Sequence, residues 1–125
     1  MMLKNEPENY LGWFYLGLVY HQEKKYQKAV RAYKKSLSLN PNYAPAFNNL
    51  ADAYLNLHQL ASAEKNIKKA LELESNPAYF LTYAQILFQS HKPENACQAL
   101  EKARTLAQAN LPEAEKLWQE NCQLN

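Results

Sequence analysis

The chain has 125 residues, a formal charge of +2, 47% hydrophobic residues and only two glycines. That length suits one domain with a modest core or a short stack of repeats, and the near balance of charge does not by itself mark a nucleic-acid binder. No apolar run approaches the roughly 20 residues that span a bilayer, and MMLKNEPENY is too polar for a secretory leader, so a cytoplasmic location is expected.

In chain order, the opening residues carry Leu3 and Pro7, which lie 34 positions before Leu37 and Pro41. They resemble the tail of a preceding repeat, which predicts a start inside a longer array. Residues 10–43 form the first predicted hairpin. Its first helix sets Trp13, Leu16 and Tyr20 on one face at offsets of three and four, and its second carries Ala29, Tyr33 and Ser36. Residues 44–76 repeat the pattern without gaps, with Phe47, Leu50, Ala51, Tyr54, Ala63, Ile67 and Ala70 each 34 positions on. Residues 77–110 repeat it after 33, with Phe80, Tyr83, Ala84, Leu87, Ala96, Leu100 and Ala103.

Proline marks the helix starts, where a missing N–H costs nothing: Pro45 and Pro77 open the second and third hairpins, and Pro93 opens the last hairpin's second helix. Asn76 is the expected N-cap before Pro77. Residues 111–125 form a seventh helix with Ala114, Leu117, Trp118 and Cys122 on one side, expected to cap the last hairpin and leave a polar outer face. Small residues at Gly17, Ala29 and Ser36 and their equivalents sit where paired helices approach closely, and large residues fill the space beside them.

Trp13, Leu16, Gly17 and Tyr20, followed by Ala29, Tyr33 and Pro41, resemble the tetratricopeptide repeat pattern, and three registered copies extend that resemblance over about residues 10–110. The departures are Ser36 for alanine, Ser75 for proline, and an exchange of size between Tyr83 and Leu87. The resemblance implies an all-α fold: a right-handed superhelical solenoid of three helix-turn-helix hairpins and a seventh, capping helix, in one domain of residues 1–125. It also implies that the first helices line a concave peptide-binding groove and the second helices form the convex back. Members that dock chaperone tails grip a terminal carboxylate with a lysine and an asparagine on the first helix, an asparagine on the third, and a lysine and an arginine on the fifth. Asn49 matches the central asparagine. Phe14, Ala78 and Thr82 stand at the cationic positions and Leu18 replaces the first helix's asparagine, so no acidic chaperone-tail clamp is expected.

Projecting the helical period onto the first helices gives the expected groove lining. The first contributes Leu11, Phe14, Tyr15, Leu18 and His21, the second Asn48, Asn49, Asp52, Leu55 and Asn56, and the third Leu81, Thr82, Gln85, Phe88 and Gln89. Trp13, Leu16 and Tyr20 face their own hairpin, whereas Phe14 and Leu18 are left for the groove and Val19 for a neighbouring helix. Asn48, Asp52 and Asn56 recur every four residues as a polar ladder, with Asn49 beside it. A primary amide donates and accepts at once, which suits an extended peptide, and Phe14, Leu18, Leu81 and Phe88 supply apolar pockets on either side. The plainer reading is that these amides are solvated surface.

Little else points to chemistry. His21, His58 and His91 are scattered over three repeats, and His58 and His91 read as helix-end residues that suit the dipole rather than as metal ligands or bases. Cys97 and Cys122 belong to no CxxC or Cys/His cluster, so a reducing compartment is the default, and Cys97 reads as a buried, inert thiol. No glycine-rich phosphate loop or paired nucleophile occurs. No enzyme activity, cofactor or metal is expected. Lys24, Lys25, Lys28, Arg31, Lys34 and Lys35, echoed by Lys65, Lys68 and Lys69, form a second-helix stripe read as solvated charge, with no nucleic-acid or membrane partner expected. The expected function is non-catalytic recognition of a protein segment in the groove. The alternative is self-assembly into a homo-oligomer, or packing within a longer repeat array, through Phe14, Tyr15 and Leu18.

Overall fold

A computed structural model describes residues 6–108 and 110–123. Leu3, and with it the reading of the opening residues as a repeat tail, lies outside the described residues. The chain divides into two compact units, Met1–Leu73 and Glu74–Asn125. Among the described residues every regular element is helical.

The first unit opens with a short 3₁₀ turn, Pro7–Asn9, and continues with α1 Tyr10–Gln22, α2 Tyr26–Leu39, α3 Ala44–Asn56 and α4 Leu60–Leu73. α1 packs on α2, α3 on α4, and α2 on α3. The second unit holds α5 Pro77–Gln89, α6 Pro93–Ala107 and α7 Pro112–Asn121, with α5 packed on α6 and α6 on α7. These are the three expected hairpins and the expected seventh helix.

Prolines lie in the first turns of α3, α5, α6 and α7, and the Asn76 side chain accepts from the Ala78 N–H at 2.8 Å, as an N-cap does. The ends of the first helices hold His58 and His91 where expected and give them a further, backbone role. Lys24, His58 and His91, at matching places in the three repeats, take left-handed backbone angles with φ of 61°, 58° and 61°. Each donates its backbone N–H to the carbonyl three residues earlier, of His21, Leu55 and Phe88. The two histidines therefore make the tight turn that ends a helix, a backbone role that glycine fills at least steric cost.

Packing inside the hairpins follows the exchange of large and small residues. A Cβ added at Gly17 would lie 2.5 Å from two ring carbons of Tyr33, whose side chain is fully buried. The second and third hairpins place Ala51 with Ile67 and Ala84 with Leu100 at the same positions, so the smaller partner of Tyr33's position allows a Cβ across from it. Ser36, standing where the other copies have alanine, is buried and donates its hydroxyl to the Tyr10 carbonyl across the α1–α2 contact at 2.7 Å.

Cys97 is not a free thiol. It forms a disulfide with Cys122, with Cα atoms 5.7 Å apart, and so ties α6 to the end of α7. The reducing-compartment expectation rested on the lack of a CxxC spacing. It missed a pairing between residues 25 apart that the α6–α7 contact creates. Arg104 reinforces the same contact: its guanidinium lies 4.4 Å from the Trp118 ring and bonds Glu115 at 2.9 Å and Glu101 at 3.1 Å. Those carboxylates raise the Arg104 pKa further above its already high ordinary value.

Candidate functional site

α1 has apolar residues on almost every side. Trp13, Leu16 and Tyr20 line a shallow surface groove with Lys28, Arg31 and Ala32 of α2. On its other side Leu11 and Leu18 are half-buried, and Tyr15 is 57% exposed. Val19, expected to pack on a neighbouring helix, is 48% exposed.

Phe14 corrects the sequence reading. It is only 7% exposed, because the ring sits edge-on to Tyr15 at 5.6 Å and Tyr43 at 5.1 Å and tilted on Tyr33 at 5.9 Å. Tyr43 comes from the turn before α3 and also meets Tyr10 edge-on at 5.0 Å. The result is an aromatic cluster with Phe14 as its floor and Tyr15 as its most exposed ring. Burial first, then the neighbouring phenols Tyr15 and Tyr10, push the Tyr43 hydroxyl above its usual pKa.

α3 carries the polar residues, and most are already engaged. His21 Nε2 lies 2.8 Å from Asp52 Oδ2, and His21 Nδ1 lies 3.1 Å from the Tyr33 hydroxyl. A carboxylate can only accept, so Nε2–H donates to Asp52 and Nδ1 accepts from the Tyr33 O–H in the neutral ring. The tautomer follows from the partners. Burial, and then the charge of Asp52, hold the Tyr33 hydroxyl well above the ordinary tyrosine range, which keeps it a donor. Asn48 Nδ2 donates to Asn49 Oδ1 at 3.2 Å, and Asn56 Nδ2 donates to the Asp52 carbonyl at 2.9 Å. Asn48 Oδ1 is buried with no hydrogen-bond partner. The amide ladder is thus braced within the unit, and its outward capacity rests on Asp52, whose side chain is 37% exposed, and on exposed Asn56, with half-buried Leu55 beside them.

In the second unit, Leu81 is also a core residue, 7% exposed and clustered with Ala84, Leu87 and Leu100, rather than a pocket wall. Thr82 is buried, and its hydroxyl donates to the Ala78 carbonyl at 3.2 Å. Gln85 is half-buried, Phe88 is half-buried against the same core, and Gln89 is exposed. The candidates of this unit reduce to Gln85 and Phe88.

Three contributors were not assigned from sequence: Tyr33 as the anchor of His21, and Tyr10 and Tyr43 as walls of the aromatic cluster. The repeat position of Tyr33 marks it only as core. Nothing in the spacing of Tyr10 and Tyr43 shows that they meet, since they lie at opposite ends of one repeat. Among the described residues no group of three or more His, Cys, Asp or Glu side chains could hold a metal ion, and no helix is long and apolar enough to cross a membrane.

Two family profiles, both described as tetratricopeptide repeat, match residues 10–43 and 32–65. Heat shock protein STI1 of Saccharomyces cerevisiae is 33% identical over 96 residues, covering 76% of this chain and 16% of that protein. The BBSome complex member BBS4 homolog of Drosophila melanogaster is 31% identical over 103 residues, covering 82% of this chain and 21% of that protein. The chain thus spans between about a tenth and a fifth of the first curated relatives it matches. A solved structure, the first TPR of Spaghetti (RPAP3) bound to HSP90 peptide SRMEEVD, superposes with a TM-score of 0.86 at 25% identity, over 92% of this chain and 94% of that one.

Proposed function

We propose that this chain, which belongs to the tetratricopeptide repeat family, is a protein-interaction module that takes an extended segment of a partner on the face formed by α1 and α3, without catalysis. The observation that carries this reading is the mixed character of that face. Exposed Tyr15 stands beside half-buried Leu11 and Leu18, while α3 offers Asp52 and Asn56 as oriented polar groups. Apolar area supplies affinity, and a few fixed acceptors orient the ligand. Similar repeat domains hold peptides, as the RPAP3 domain does with SRMEEVD.

The clamp chemistry for such an acidic tail is missing here. Phe14 and Leu18 on α1 and Ala78 and Thr82 on α5 carry no charge. Labelled SRMEEVD is expected to show no saturable binding to this chain at concentrations that saturate the RPAP3 domain. For the α1–α3 face, the test is recovery of partners by the intact chain and by a Tyr15→Ala, Asn56→Ala variant. Loss of one contact is expected to weaken binding by about 1–3 kcal/mol, roughly 5- to 150-fold. Equal recovery by both proteins moves the site elsewhere.

A second reading, self-association through α1, is favoured by the exposure of Tyr15 and Val19. Light scattering across a range of concentrations separates the two, and a monomer throughout retires it. The second-helix lysines are proposed to be solvated rather than a nucleic-acid surface: Lys28 lies over the Tyr20 ring and Lys34 over the Tyr54 ring, each at 5.7 Å, so these rings are not free to stack on bases.

A further inference from the structure

We propose that the segment taken by the α1–α3 face is basic: it sets a lysine or arginine against Asp52 and an apolar or aromatic side chain against Tyr15. This rests on that face being the peptide-binding face.

Three observations favour a cation. Between them, α1 (YLGWFYLGLVYHQ) and α3 (APAFNNLADAYLN) carry one fixed charge, that of Asp52. The Asp52 carboxylate is held by the His21 imidazole, which is in turn held by the hydroxyl of fully buried Tyr33, so its orientation is set before a ligand arrives. The imidazole engages one carboxylate oxygen, and with 37% of its side chain exposed Asp52 keeps acceptor capacity toward solvent. The cluster of Tyr10, Phe14, Tyr15 and Tyr43, with Tyr15 its most exposed ring, supplies the surface for the apolar or aromatic side chain.

The charge of the whole chain points the other way, which makes the proposal discriminating. A net charge of +2 with lysines along α2 and α4 would by itself draw acidic peptides. A preference for basic ligands has to come from the local face.

The test is to pan a random 12-residue peptide library against the full chain and against its Tyr15→Ala variant, then measure the selected peptides by fluorescence anisotropy. Peptides that depend on Tyr15 are expected to be enriched in lysine and arginine and depleted in aspartate and glutamate. Asp52→Asn should weaken them at least tenfold, Asp52→Glu should retain them, and Asp52→Lys should turn the preference toward acidic peptides. Circular dichroism melts establish that each variant is folded. Tyr15-dependent binders that are neutral or acidic overturn this inference and leave the binding face standing. Recovery of no Tyr15-dependent binder overturns both.

Discussion

Gly17 and Tyr33 show how far one pair of residues governs the first hairpin. Replacing Gly17 with alanine raises helix propensity by about 1 kcal/mol, but its Cβ would enter a fully buried ring whose hydroxyl is tied to His21. The clash wins, and Gly17→Ala is expected to destabilise the protein by about 1–2 kcal/mol in urea unfolding. Adding Tyr33→Ile, which recreates the Ala51 and Ile67 pair of the second hairpin, is expected to recover part of that loss. Tyr33 also makes stability depend on alkaline pH. The folded chain holds its phenol proton above the ordinary pKa of about 10, because of burial and then Asp52. Its stabilising contribution is therefore complete below about pH 10 and is lost as pH rises through the folded value. Tyr33→Phe should flatten that alkaline fall, at a cost of about 1 kcal/mol at neutral pH for the lost His21 bond.

Among the helices, the repeat register compares like with like. Phe14, Asn48 and Leu81 stand at one position in α1, α3 and α5, and the apolar pair is each 7% exposed. In α3 the same place carries an amide whose oxygen is buried and unpartnered. Asn48→Leu is expected to stabilise the protein by about 1 kcal/mol, read as a higher midpoint in urea at unchanged slope. An unchanged or lower midpoint would mean that the amide has a partner in solution. The register also locates α7. Leu117 lies 34 positions after Tyr83 and keeps a large residue at that place of a first helix, but Ala114 replaces the aromatic of Trp13, Phe47 and Phe80, and Trp118 takes the place held by Gly17, Ala51 and Ala84. There it lies beneath the Arg104 guanidinium.

For the molecule as a whole, the disulfide separates the behaviour of the two units. Both cysteines belong to Glu74–Asn125, so reduction, or Cys122→Ser, should loosen that unit alone. Closing a loop of this length contributes about 3 kcal/mol. Hydrogen exchange is expected to quicken around Leu100 on reduction and to stay unchanged around Tyr33. Equal acceleration in both would show that they unfold as one.

The sequence by itself determined the helices, their pairing into three hairpins and the seventh helix, because each follows from a short-range period, a proline or a large-for-small exchange at a constant spacing. It also determined the absence of fixed positive charge on α1 and α3, which is a matter of composition. Tertiary structure decided which apolar residues of α1 stay outside: helical period put Phe14 beside Tyr15 on one face, and packing of Tyr33 and Tyr43 on the first left it buried and the second exposed. It likewise decided that the ladder's groups serve the protein first, since the partner of Asp52 is 31 residues away, and that Cys97 meets Cys122. Contacts between residues so far apart depend on which side chains two packed helices bring face to face, and a periodic pattern is nearly silent about that.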